Sequence, residues 1–212
     1  RLHSMPGARD AIWTGAEGGG HLDLPRMKAG GFAGGFFAIY IPSGAFDGSI
    51  DLATLDALMN KPPFDLPLPP MIGREQAQPV ALSQAGHLLA LERTGTLSIC
   101  RSVADLRACM AAGRIAAIMH MEGAEAIDTD FRSLEVLYAA GLRSLGIVWS
   151  RENDFGTGVP FKHNADPDIG PGLTDAGKEL VRVCNRMRIM LDLSHLNAAG
   201  FRDVASLTDR PI

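Results

Sequence analysis

The chain has 212 residues, of which 46% are hydrophobic and 21% charged, and a net charge of −4 at pH 7. This composition is ordinary for one sizeable globular core and excludes a largely disordered chain. The acidic balance, without a long basic run, excludes a nucleic-acid or anionic-membrane surface as the main partner and points to a small metabolite.

In chain order, the first feature is the glycine-rich run AEGGG at 16–20, followed by His21-Leu22-Asp23, where a weak strand is expected. A clear strand follows at 35–42 (GFFAIYIP), then an irregular stretch over 43–73, rich in Pro, Gly and Asp. A helix is predicted over 80–93, a strand over 96–101 (TLSICR), and a helix over 103–112, opened by Ser102 and ended by Gly113. The strand RIAAIMHM (114–121) leads into a helix over 130–140, closed by Gly141, and then the strand LRSLGIVWS (142–150). A second irregular stretch, 151–171, precedes a helix over 175–187 headed by Thr174, the strand RIMLDLS (188–194), a helix over 198–207, and a strand beginning at Pro211. Loops as long as 43–73 and 151–171 are more often functional than neutral.

Strands alternating with helix-period segments are the signature of βαβ units. The runs 115–121 and 189–193 are nearly continuously apolar, as in parallel strands covered on both faces. No repeat or composition shift marks a second domain, so residues 1–212 read as one α/β domain. Its five clear βα units are fewer than the eight of a (β/α)8 barrel. Cys100, Cys109 and Cys184 have no short metal-type spacing and read as buried thiols. No run approaches the length of a membrane-spanning helix. The stretch from Arg1 lacks a signal peptide's apolar core, and a targeting segment upstream stays open because the chain does not begin with Met.

In parallel α/β folds, reactive groups collect at the carboxyl ends of strands. Two residues occupy such positions: Glu122 directly after the strand 114–121, and His195 directly after 188–194. A carboxylate and an imidazole at one mouth suit Zn²⁺, which takes oxygen and nitrogen ligands and turns bound water into a nucleophile near neutral pH. The same pair also reads as a structural hydrogen bond. His21 and Asp23 form a third candidate, since residues i and i+2 share one side of an extended segment. The glycines before them make a poor strand, so a loop or surface pair is equally open. By period-2 alternation Asp192 faces away from His195 and is expected to orient a neighbour. His120 shares a face with Glu122 and reads as a hydrogen-bonded core histidine, while His3, His87 and His163 have no patterned partners. No G-x-S-x-G elbow, Walker loop or dinucleotide fingerprint is present.

Four segments resemble, in order and spacing, the membrane dipeptidase (renal dipeptidase) family of zinc peptidases, in particular its bacterial members. They are HLDLPRMKAGGFAGGFFAIYIP (21–42), IMHMEGAEAI (118–127), LYAAGLRSLGIVWSRENDFGTGVP (137–160) and GLTDAGKELVRVCNRMRIMLDLSHLN (172–197). The resemblance implies a (β/α)8 barrel with two zinc ions (Zn²⁺) at its carboxyl mouth. His21 and Asp23 would bind one metal, Glu122 would bridge both, and His195 would bind the second, with Asp192 and Ser194 supporting it. The activity implied is dipeptide hydrolysis by a hydroxide bridging the metals, with Glu122 as the catalytic carboxylate, in a homodimer of the bacterial cytoplasm or periplasm. The family's remaining metal and substrate ligands are expected beyond Ile212, which makes this chain the amino-terminal and central part of a catalytic barrel. Trp149 stands where some members carry a substrate-contacting histidine and is the candidate substrate-binding residue. The alternatives are a related metal-dependent amidohydrolase acting on N-acyl amino acids, lactams or lactones, and a non-catalytic ligand-binding barrel.

Overall fold

The computed structural model describes residues 9–16, 18–43 and 52–212. Seven strands occur among them: β1 (Gly34–Tyr40), β2 (Leu97–Ile99), β3 (Ile115–Glu122), β4 (Leu142–Gly146), β5 (Glu152–Asn153), β6 (Gly156–Thr157) and β7 (Met190–Asp192). All but β5 and β6, which form a separate antiparallel hairpin, belong to one parallel sheet.

The sheet is organised around β3. β1 runs beside it from Gly34 opposite Ala116 to Tyr40 opposite Glu122. Ala116 N donates to Ala33 O, whereas Ile115 N donates to Thr96 O. Successive amides of a strand point to opposite edges, so β1 and β2 lie on opposite sides of β3. With β1 occupying its edge as far as Glu122, β4 takes the β2 side beyond a register shift between Met119 and His120. β7 then pairs with β4, bringing Asp192 opposite Gly146. The expected apolar run is this central strand, with Ala116, Ala117, Met119 and Met121 fully buried. A side chain at Gly34 would not fit, since its Cβ would stand 2.4 Å from Ala116 O.

The helices are α1 (Arg9–Thr14), α2 (Leu24–Ala29), α3 (Leu52–Met59), α4 (Arg74–Arg93), α5 (Val103–Ala111), α6 (Arg132–Ala140), α7 (Asp175–Met187) and α8 (Ala198–Leu207). Ser102 and Thr174 cap α5 and α7 as their sequence positions suggest, accepting from Asp105 N and Gly177 N. In α6 the N-cap position falls to Phe131, with φ of 60° and no side-chain oxygen. Asp128 substitutes from outside the helix, accepting from Arg132 N at 3.1 Å, Ser133 N at 2.8 Å and the Ser133 hydroxyl.

Several boundaries differ from expectation. α4 begins at Arg74 rather than at residue 80, running through Pro79. Pro79 lacks a backbone N–H and would end most helices, but here it falls in the first two turns of a long helix that buries Ala77, Ala81, Ala85 and Leu88. The strands expected over 142–150 and 188–194 are shorter. No strand forms at His21; that segment bends, and Asp23 becomes the N-cap of α2. His3 and residues 44–51 of the first irregular stretch lie outside the described residues. No described helix is long and apolar enough to cross a membrane.

At the outer edge of β1, the Gln84 side chain imitates a neighbouring strand. Tyr40 N donates to Gln84 Oε1 at 2.8 Å, and Gln84 Nε2 donates to Tyr40 O at 2.6 Å. Both backbone groups of the last β1 residue are thereby satisfied by α4.

Candidate active site

Because Tyr40 and Gly146 flank Glu122 in register, the carboxyl ends of β1, β3 and β4 open on one mouth, and β7 adds Asp192 beside Gly146. Glu122 ends β3 and projects there. His195 arrives through the turn after β7, where Ser194 N donates to Asp192 Oδ1 at 2.8 Å. His195 itself has φ of 67°, in the left-handed region that side chains other than glycine rarely adopt. Its carbonyl accepts from Val159 N at 2.8 Å, which anchors the turn to the segment after β6. Strained backbone of this kind persists only where the surroundings hold it.

The turn aims the imidazole at Glu122. His195 Nε2 lies 3.1 Å from Glu122 Oε1, and His195 Nδ1 lies 3.0 Å from Ser150 Oγ. The His195 and Glu122 side chains keep 23% and 33% of their surface exposed, so both donor atoms remain within reach of a ligand. Around them stands an aromatic wall. Trp149 packs 5.9 Å from the His195 ring, 5.5 Å from Phe161 and 5.2 Å from Tyr40, and Phe161 lies edge-on to His195 at 6.3 Å.

One layer below, His120 Nδ1 is 2.9 Å from Ser144 Oγ, and His120 Nε2 is 3.7 Å from Asp192 Oδ2. His120 is the hydrogen-bonded core histidine read from the sequence. Burial lowers its pKa against the opposing pull of Asp192 and Glu122. Burial alone would raise the Asp192 carboxyl, but hydrogen bonds from Ser194 and the nearby His120 and His195 outweigh it and lower the pKa. Asp192 therefore holds the turn through one oxygen and faces His120 with the other.

His21 and Asp23 are not brought to this pair. Asp23 is buried, with Oδ1 accepting from Arg26 N at 2.8 Å and Oδ2 3.4 Å from Arg26 Nε. His21 is exposed on the wall of an open groove of about 510 Å³, which Tyr40, Gln84 and Trp13 also line. Among the described residues, no three of His, Cys, Asp and Glu group as a metal cage. Zinc takes carboxylate oxygen and imidazole nitrogen, so Glu122 and His195 fit as two donors. His87 and His163 stay apart from the mouth, beside Ser83 and Phe64 respectively.

The residue pattern did not single out Ser150, Ser144, Tyr40 or Phe161. Ser150 had a signal: it follows the apolar run 142–148, at a strand's carboxyl end. Tyr40 lay inside an expected strand, and nothing local announces Ser144 as the partner of a histidine 24 residues earlier.

A parallel sheet gathering a carboxylate and an imidazole at its carboxyl mouth defines an α/β protein, with its candidate site at the strand ends as in α/β barrels and open α/β sheets. The sequence profile of the membrane dipeptidase family, peptidase family M19, matches residues 8–212, and the chain belongs to that family. The crystal structure of a metallo peptidase from Rhodobacter sphaeroides, liganded with a phosphinate mimic of the dipeptide L-Ala-D-Ala, is 58% identical, with a TM-score of 0.93 over 100% of this chain and 60% of that one. The crystal structure of dipeptidase AC, a metallo peptidase of family M19, is 57% identical, with a TM-score of 0.92, and 59% of it is covered. The uncharacterized protein in the PQQ-III 3′ region of Acinetobacter calcoaceticus is 34% identical over 195 residues, 91% of this chain and 59% of that protein. The fold is thus the expected (β/α)8 type, and the chain spans about three fifths of the length of these relatives.

Proposed function

We propose that the intact protein is a zinc-dependent dipeptidase whose metal centre includes Glu122 and His195. The observation that carries this reading is the 3.1 Å approach of His195 Nε2 to Glu122 Oε1 at the mouth of the sheet. It is supported by 58% identity to a metallo peptidase liganded with a dipeptide mimic. Zinc, when bound, supplies Lewis-acid polarisation of a carbonyl and lowers the pKa of water towards neutrality. Ser150 sets the orientation of the His195 ring, because a hydrogen bond at Nδ1 leaves Nε2 as the donor atom. Tyr40, Trp149 and Phe161 wall one side of the mouth, exclude water there and offer an apolar face to a small side chain.

His21 and Asp23 are proposed as the further donors, and two zinc ions and a homodimer as the complete assembly, on the family resemblance; recruiting Asp23 takes it off its α2 cap. Elemental analysis of the full-length protein is expected to find close to two zinc per chain. Glu122→Gln is expected to lower kcat for free dipeptides by roughly 10³-fold, the scale of several kcal/mol of lost electrostatic stabilisation, without unfolding the protein. Unchanged turnover overturns the assignment, and faster cleavage of N-acyl amino acids than of dipeptides moves it to the amidohydrolase alternative.

A further inference from the structure

Arg151 and the side chain of Glu125 are both fully buried beside the mouth, with no exposed side-chain surface. Arg151 Nε and Nη2 donate to Glu125 Oε1 at 3.1 and 3.0 Å, Nη2 also to Ile41 O at 3.1 Å, and Nη1 to Ser43 Oγ at 2.6 Å. One guanidinium thus ties together the segments that leave β1, β3 and β4. Its backbone extends the link. Arg151 N donates to Trp149 O at 2.7 Å, closing the tight turn that presents Trp149 and Ser150, and Arg151 O accepts from Gly158 N at 3.2 Å.

Stability is a poor explanation for such a pair. Taking two charges out of water cancels most of their mutual attraction, and well-packed apolar replacements are often as stable. Among the described residues Glu125 Oε2 has no hydrogen-bond partner within bonding distance, and burial raises the Glu125 pKa against the lowering influence of Arg151 and, more weakly, of Asn153. What a planar fork of five donors provides, and an apolar side chain does not, is simultaneous fixation of several backbone segments in one geometry. The segment so fixed ends at Ser150, whose Oγ holds His195 Nδ1.

We propose that Arg151, with Glu125 as its counter-ion, is a positioning residue: it locks the 149–151 turn so that Ser150 keeps the His195 ring directed at Glu122. Arg151 acts through Ser150 and touches no reacting atom. A displacement near 1 Å at this point is enough to cost on the order of 10²-fold in rate. The kinetic consequence rests on the dipeptidase reading, whereas the orientation of His195 does not.

The test uses the full-length protein with ¹⁵N-labelled histidine, metal-free and at fixed pH, with the His195 ring signals assigned from their loss in His195→Gln. The double substitution Glu125→Leu with Arg151→Met removes both charges together. It is expected to shift the His195 Nδ1 and Nε2 signals towards those of a free, exchanging imidazole. After metal loading, kcat should fall about 10- to 100-fold while KM stays within about two-fold. Ser150→Ala, with the buried pair intact, is expected to give the same His195 signature. Should the double variant fail to fold, Arg151→Lys decides: it keeps the ion pair but loses the fork, and should move the His195 signals part of the way and lower kcat several-fold. His195 signals unchanged in the folded double variant, or in Arg151→Lys, overturn the proposal, as does a fall in kcat with unaltered His195 signals. A wild-type enzyme that loads zinc but cleaves no dipeptide overturns the dipeptidase reading alone, and the ring signals still judge the role of Arg151.

Discussion

His195 Nε2 and Glu122 Oε1 stand 3.1 Å apart across 73 residues of chain, Glu122 as the last residue of β3 and His195 in the turn that follows β7. The contact joins a carboxylate and an imidazole that both keep part of their side-chain surface exposed at the mouth of the sheet. If the pair belongs to a metal centre, added zinc stabilises the folded full-length protein by mass action. At 100 times its dissociation constant a ligand adds about 2.7 kcal/mol, or about 3–6 °C in Tm for a chain of some 200–350 residues. Thermal melts with and without zinc check this. The shift is expected to vanish on chelation and to be largely lost in Glu122→Gln and His195→Ala.

Trp149 touches His195, Phe161 and Tyr40 together, so its removal opens the wall of the mouth. Trp149→Ala is expected to lower kcat/KM for dipeptides by about ten-fold, the equivalent of one aromatic contact plus lost enclosure, and Trp149→Phe by less. Steady-state kinetics on the two variants would show whether the indole contributes more than bulk.

Gly158 lies where a Cβ would stand 1.9 Å from Trp149 O and 2.8 Å from Arg151 N. Both are backbone atoms of a tight turn and cannot swing aside. Gly158→Ala is therefore expected to cost about 1–3 kcal/mol in urea denaturation and to impair activity along with stability. A neutral outcome would mean that this turn is freer than its hydrogen bonds suggest.

The Asp128 cap should be readable through pH. Burial by itself raises its carboxyl, but hydrogen bonds from the Ser133 side chain and backbone and from Arg132 N outweigh that and hold the pKa at about 2. A pKa lower in the folded than in the unfolded state contributes stability above the unfolded value of about 4, and that contribution fades as pH falls towards 2. Asp128→Ala is expected to cost about 1 kcal/mol at pH 6, as a lost helix cap does, with the difference from wild type shrinking between pH 4 and pH 2. Denaturation curves across that range test it.

Cys184 is buried on α7, and burial pushes its thiol up to about 12. A thiol so far from ionising is a poor nucleophile. Alkylation at pH 8 is expected to modify Cys184 only when the chain unfolds, which mass spectrometry of the native and urea-treated protein would show.

Which parts of this architecture could be read along the chain follows from the range of the forces involved. The alternation of strands and helices, the caps at Ser102 and Thr174 and the apolar run of β3 were legible because each depends on residues a few positions apart. Glu122 and His195 were legible for a related reason, since each ends an apolar run and parallel sheets place their chemistry there. α4 begins at Arg74, ahead of the helix predicted from residue 80, because packing along a whole helix face overrides the local tendency of Pro79 to mark a helix boundary.

What no local pattern contains is adjacency. That Ser150 meets His195, that Arg151 meets Glu125, Ile41 and Ser43, and that Gln84 closes the edge of β1 depends on β3 lying between β1 on one side and β2 and β4 on the other. His21 and Asp23 show the same limit from the other direction. Their spacing permits a shared face only if the segment is extended, and here it bends, so Asp23 caps α2 and His21 faces a groove. Residue type and spacing settled which groups stand at strand ends, because side-chain alternation is a property of each strand alone. Which of those ends share one mouth was settled by hydrogen bonding between strands distant in the chain, and that is decided only when the whole sheet assembles.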